Sequence, residues 1–216
     1  MMPDVFINGI SMVSLGWLRE SIDFPTPKPQ METITVPGRN SPIRYTEALG
    51  RVSFEPRSFE IVLSMLGSRR KFNQLSEEVI NRYSGQLVKV VLSEEADLYT
   101  YGTLEMEVSF DPKTGAGKMI LSSSDADSYR YYVRETIVTQ TGNAVVTLHN
   151  DYMPVVPKIT ATAETVLSWM IGTDTFEKTI SAGNWEIPEL ELIQGENTIT
   201  VKSSGKTTFT YREGRL

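Results

Sequence analysis

In a chain of 216 residues only one stretch, residues 69–83, carries helical periodicity. Phe72, Leu75, Val79 and Tyr83 recur at intervals of three and four with Ile80 beside them, and Arg69, Arg70, Glu77, Glu78 and Asn81 take the opposite side. Ser68 stands where an N-cap is wanted and Gly85 where a C′ glycine is wanted. The remaining apolar residues alternate with period two between turn signals, so they have to be buried mainly by β-sheets. The class that follows is mainly β: an α+β first part built on the lone helix, and an all-β second part.

Residues 1–136 form that first part. Asn8-Gly9 between two short apolar stretches is a two-residue hairpin signal. Pro25, Pro27 and Pro29 alternate with other residues, which favours an extended spacer or arm over a strand. Residues 31–36 and 43–45 are expected strands flanking Pro37-Gly38-Arg39-Asn40-Ser41-Pro42. There the prolines fix φ, Gly38 permits positive φ, and Arg39 is held out on a stiff turn with five donors to offer. Residues 51–56 and 59–65 continue the alternation, and after the helix residues 86–92, 98–110 and 118–121 are expected strands. The stretch 98–121 is expected to project as one long hairpin, with Glu105 and Glu107 along an acidic edge that suits a partner surface.

From residue 137 to 216 the texture changes to short strands at near-regular spacing: 137–139, 144–149, 158–163, 166–170, 176–180, 189–193, 198–201 and 207–211. Such spacing predicts a small β-sandwich or jelly roll.

The chemistry available is narrow. There is no cysteine, which excludes disulfides and thiolate metal sites, and one histidine, which makes a zinc site improbable. His149 has Asp151 two residues away but no Gly-x-Ser-x-Gly elbow to supply a nucleophile. Glu94, Glu95 and Asp97 lack the calcium-loop pattern, and Gly115-Ala116-Gly117 is not followed by Gly-Lys-Ser/Thr. Glu186, Glu189 and Glu191 lie close together without a second wall of carboxylates to make a glycosidase pair. No cofactor, metal or catalytic set is implied. The net charge of −6 is spread over both parts, against the basic footprint of a nucleic-acid binder. No apolar run approaches the ~18 residues of a membrane helix, and the N-terminus has no basic n-region, so the expectation is a chain made and kept in a cytoplasm. Trp169, alternating with Leu167, is expected in the core; Trp185, beside Asn184 and Gly183, is expected exposed and is the candidate glycan contact.

Taken in order, the 36–43 loop, Thr46-Glu47-Ala48-Leu49-Gly50, a strand with Phe54, Phe59-Glu60-Ile61 and the helix resemble the N-terminal domain of the distal tail (Dit) proteins of long, flexible-tailed phages. Gly195-Glu196-Asn197-Thr198-Ile199-Thr200-Val201 and the ending Tyr211-Arg212-Glu213-Gly214-Arg215-Leu216 resemble the close of that family's galectin-like second domain. Ser41 departs from the glycine the family often carries after the Asn/Asp. The resemblance implies a structural virion protein of the tail tip or baseplate, not an enzyme. It implies a hexameric ring, with a second stacked ring open, that joins the tail tube protein to the tail-associated fibre or lysin protein and passes DNA, with a receptor-binding protein as a further partner and assembly in the host cytoplasm. Arg39, Asn40, Glu105, Glu107 and Pro27 are the candidate protein contacts under that implication. The alternative is a carbohydrate-binding adhesion module that acts in host recognition.

Overall fold

A computed structural model describes residues 3–35, 37, 38, 40, 41, 43–45 and 52–216, and divides into two compact units, Met1–Tyr129 and Arg130–Leu216. The division falls earlier than the change of texture at residue 137.

The first unit contains β1 (Val5–Ile7), β2 (Ile10–Ser11), β3 (Leu18–Asp23), β4 (Glu32–Ile34), β5 (Ile43–Tyr45), β6 (Arg57–Leu66), α1 (Arg69–Tyr83), β7 (Leu87–Leu92), β8 (Leu98–Thr103), β9 (Glu105–Asp111) and β10 (Ala116–Ala126). β2, β1, β7 and β8 are neighbours in that order in one antiparallel sheet, and β3, β6, β10 and β9 form another. The Asn8-Gly9 turn joins β1 to β2 with positive φ at both residues, 49° and 81°, as a type I′ hairpin needs. β4 and β5 pair only with each other.

α1 spans the residues that the apolar stripe marks. The Ser68 hydroxyl accepts from the Lys71 amide, and Ser84 closes the helix by donating to the Ile80 carbonyl, with Gly85 following at φ 70°. Phe72, Val79 and Tyr83 are buried in one core with Trp17, Ile61, Leu63, Met119 and Leu121. The Tyr83 hydroxyl donates to the Ile7 carbonyl at 3.3 Å, tying the helix to β1. Ser76, on the same side, spends its hydroxyl on the Phe72 carbonyl at 2.8 Å and so is buried without an unpaired polar atom. The closest approach is at Gly117 of β10, where an added Cβ would lie 2.3 Å from Phe72 Cδ2.

The expected strand 98–110 is broken at Leu104, and this corrects the expected 98–121 hairpin. β8 belongs to one sheet and β9 to the other. Leu104 is fully buried and its backbone leaves both ladders: its amide donates to Gln86 and its carbonyl accepts from Gly85. Asp125 clamps the crossing by accepting from the Thr103 amide at 2.8 Å and the Ser123 hydroxyl at 2.9 Å; the bonds from Thr103 hold its carboxyl below the ordinary value. The hairpin is therefore β9–β10, turned at residues 112–115. Of the expected strand at 51–56, residue 51 lies outside the described residues and 52–56 are reduced to one bridge at Phe54, opposite Pro29.

The second unit contains β11 (Arg130–Tyr132), β12 (Thr136–Thr141), β13 (Ala144–Asn150), β14 (Lys158–Ala161), β15 (Thr165–Ile171), β16 (Asp174–Ile180), β17 (Gly183–Glu186), β18 (Gly195–Ser203), β19 (Lys206–Tyr211) and β20 (Gly214–Arg215). Two four-stranded antiparallel sheets, β12-β19-β14-β17 and β13-β18-β15-β16, share one core of Leu148, Ile159, Leu167, Ile199, Val201 and Phe209, which makes the unit a β-sandwich. β11 pairs with β20, so the chain's last strand closes on the unit's first. Residues 189–193, expected as a strand, are instead an irregular segment. The Leu190 amide bonds back to Ile187, Val155 and Leu192 exchange backbone bonds, and Asn197 brackets Ile193 at both its N–H and its carbonyl.

Tyr211 links the sheets by donating its hydroxyl to the His149 carbonyl. Burial, with Glu213 nearby, pushes its phenol up to about 12.

Two outcomes follow. Gly117→Ala drives a methyl into the Phe72 ring, and a urea unfolding curve is expected to show a loss of about 1–3 kcal/mol. For Tyr211 the unfolded phenol ionises near 10 and the folded one near 12, so its contribution is complete below about pH 10 and lost as pH rises through about 12. Tyr211→Phe is expected to flatten that part of the alkaline stability profile; an unchanged slope there would sink the assignment.

Candidate assembly surfaces

The sheet β3-β6-β10-β9 ends in two strands, β3 and β9, that have no further neighbour among the described residues. Each presents unused backbone donors and acceptors, the natural substrate for pairing with another chain. β9 is exposed at Glu105, Glu107, Val108 and Ser109. The register aligns Asp23 with Glu60, Glu60 with Ser122, and Ser122 with Glu105, so these four side chains form one row across the sheet. Glu107, two residues on from Glu105, projects to the same side, opposite Ile120. Lys118 adds one positive charge to that face. Like charges held side by side, as at Asp23 and Glu60, cost stability where nothing offsets them.

At the hairpin tip Asp111 is spent locally. It accepts from the Lys113 amide at 2.9 Å and the Thr114 hydroxyl at 2.8 Å, bonds that hold its carboxyl below the ordinary value. The tip is thereby a rigid Asx-type turn.

The proline segment is strapped down along its length. Phe24 stacks on Phe59 at 5.6 Å with the Arg57 guanidinium 4.9 Å from its ring centre, the Glu55 amide donates to Lys28, and the Gln30 amide donates to Ser53. Pro27 is buried within its own unit, which corrects its expected exposure; Pro25, Thr26, Lys28 and Pro29 form the accessible side. The alternation of prolines says nothing of this strapping, because Phe59 and the 53–55 segment that hold Phe24, Lys28 and Gln30 arrive from elsewhere in the chain.

Beyond the strap, β4 and β5 run in register from Glu32 opposite Tyr45 to Ile34 opposite Ile43. Met31 and Ile34 are exposed at 64% and 52%. Pro37, Gly38, Asn40 and Ser41 are exposed at the tip, with Gly38 at φ 82°. Arg39 lies outside the described residues.

Arg19 is a polar feature that nothing in its local pattern announces. Its side chain is nearly buried, pairs with Glu94, and has its pKa lowered by desolvation against the opposing pull of Asp4. Asp4 in turn accepts from the Ser11 hydroxyl at 2.6 Å and the Val5 amide at 2.7 Å. This network fastens the start of β1 in place. No group of three or more His, Cys, Asp or Glu is placed to hold a metal among the described residues.

In the second unit Trp169 is buried, its indole N–H donating to the Glu189 carbonyl at 3.1 Å and its ring stacked on Phe176. Trp185 is 39% exposed on the edge strand β17. Its position opposite Ile159 turns it toward the sandwich margin, and its N–H is committed to the Ser181 carbonyl at 2.9 Å. A sugar ring would find part of one aromatic face there.

No family model matches the chain, and no curated protein matches it. Among solved structures it is similar to the crystal structure of SPP1 Dit (gp 19.1), described as a paradigm of the hub adsorption apparatus in phages that infect Gram-positive bacteria. The match covers 100% of both chains at a TM-score of 0.75, with 15% sequence identity. In the order and packing of its elements, over its whole length, the chain is Dit-like in fold.

Proposed function

We propose that the chain is a structural hub protein of a phage tail tip, assembling as a hexameric ring between the tail tube protein on one side and the tail-associated fibre or lysin protein on the other. The observation that carries this is the full-length likeness to a hub adsorption protein. A sheet with two unpaired edges supports it. β9 of one subunit and β3 of the next are different surfaces of the same chain, so pairing them repeats head to tail and closes when the rotation allows. Glu105, Glu107, Asn40 and Arg39 are the proposed contacts at or near such joints, joined by the accessible side of the 25–29 strap. The net charge of −6 suits a conduit, because a lumen that neutralised phosphates would retain DNA. The second unit is the proposed galectin-like domain, and a receptor-binding protein the proposed further partner. The carbohydrate-binding alternative draws on Trp185 alone, and its committed N–H gives that reading the lesser support.

Electron microscopy and native mass measurement of the purified chain, alone and with its tail tube protein, test this. Sixfold rings are expected in at least one of the two samples; a strict monomer in both would overturn the proposal. Glu105→Lys combined with Glu107→Lys is expected to shift the assembly toward monomer while unfolding free energy stays within about 0.5 kcal/mol, since both residues are exposed. Undiminished rings in that variant would remove β9 from the joint.

A further inference from the structure

The second unit carries a groove of about 560 Å³ that neither the fold likeness nor the ring accounts for. It lies where the end of β15, the start of β18 and the irregular 190–193 segment meet. Its depth reaches core side chains: Trp169, Leu190, Leu192 and Ile199, all at most 6% exposed, contribute to its walls. Its rim is apolar and open to solvent, with Met170 at 66%, Ile193 at 63% and Ile171 at 50% exposure. A soluble protein seldom leaves three large aliphatic side chains together around a recess that opens onto its core, unless something covers them. The volume is within the range of pockets that enclose a ligand, roughly 300–1,000 Å³.

The lining also says what would cover it. Its ionisable residues are both carboxylates: Glu196 is exposed, whereas Glu191 is half-buried and already engaged within the chain. Ser168, Thr175, Thr198 and Thr200 contribute hydroxyls. Asn197 is no free recognition group, because its amide is spent on Ile193, Gly195 and Leu148. A second copy of this acidic chain is a poor electrostatic match for such a rim. A pyranose is a poor match too: the one tryptophan in the walls is buried and already stacked on Phe176. Exposed aliphatic side chains around a deep apolar floor, with Glu196 open on the rim and no basic residue in the lining, suit an apolar side chain delivered on a basic segment, and Met170 can repack around it.

We propose that this groove is a docking site for a segment of a partner protein that inserts an aliphatic side chain and flanks it with lysine or arginine. The proposal stands on the second unit by itself and does not require the ring.

The test uses the full chain with methyl-labelled Met and Ile, observed by NMR during titration with three blocked peptides: lysine alternating with isoleucine, glutamate alternating with isoleucine, and lysine alternating with serine. The lysine–isoleucine peptide is expected to shift the methyls of Met170, Ile171, Ile193 and Ile199 in a saturable way. The other two are expected to bind at least about tenfold more weakly. Ile193→Asp, at an exposed position, is expected to leave the melting temperature in place and remove those shifts, while Glu196→Gln should weaken the first peptide about twofold or more and reduce its salt dependence. Equal binding of the glutamate peptide, shifts confined to other methyls, or saturable shifts produced by an oligosaccharide panel would each overturn the assignment. So would a drop in assembled mass in Ile193→Asp, which would mean that a second copy covers the groove. Ring formation by the unmutated chain is measured separately, so failure of the hub reading and failure of the groove are told apart.

Discussion

The seating of the Phe72 ring against Gly117 sets the geometry of the first unit. α1 is the only α-helix among the described residues, and β10, the strand it presses on, is the longest strand and runs between β6 and β9 in its sheet. A helix side chain can come down onto a strand's backbone only where that strand lacks a Cβ, and β10 supplies such a residue at Gly117. Phe72 then reaches Phe110 of β9 at 5.1 Å and Trp17 at 6.1 Å, so one ring joins the helix, the hairpin and the turn ahead of β3. That close contact fixes how far the helix stands off the sheet, and with it the room left for Leu63, Met119 and Leu121 beneath.

Periodicity carried the local elements and missed the long-range ones. The stripe of Phe72, Leu75, Val79 and Tyr83 located α1 because a helix records its buried face in its own spacing. Asn8-Gly9 located a hairpin because the turn type demands those residues. The break at Leu104 had no such signature: apolar alternation on either side is continuous, and only the backbone bonds to Gly85 and Gln86 show that the chain changes sheets there. Residues 189–193 misled in the opposite sense, with alternating apolar residues whose backbone serves Trp169, Val155 and Asn197 instead of a ladder. β17 has no buried residue to mark it in the sequence and is held to the sheet by its register with β14.

The candidate surfaces divide the same way. That Glu105 and Glu107 lie on one exposed strand follows from their spacing, whereas their alignment with Asp23 and Glu60 comes from pairings between distant segments and is invisible locally. Pro27 looked exposed because prolines in series suggest an arm; Phe24, held between Phe59 and Arg57, draws that arm onto the unit. Trp185 was expected at the surface and is partly there, but the hydrogen bond to Ser181 that stills its indole could only be seen in the folded chain. The groove beside Met170 and Ile193 belongs wholly to this second kind of information, since its walls come from three separate stretches of sequence.

The 189–193 segment has a mechanical consequence. Its bonds run to a tryptophan on β15, to Val155, to the amide of Asn150 at the end of β13, and to Asn197 on β18, so one short irregular stretch is stitched to several separate parts of the sandwich. Releasing any one bond leaves the others in place and frees little chain entropy, whereas releasing all of them exposes Leu190 and Leu192 together. That end of the sandwich is therefore built as a clasp, and the bonded amides of Leu190, Leu192 and Ile193 are expected to resist exchange with solvent as strand amides do, although no extended ladder contains them.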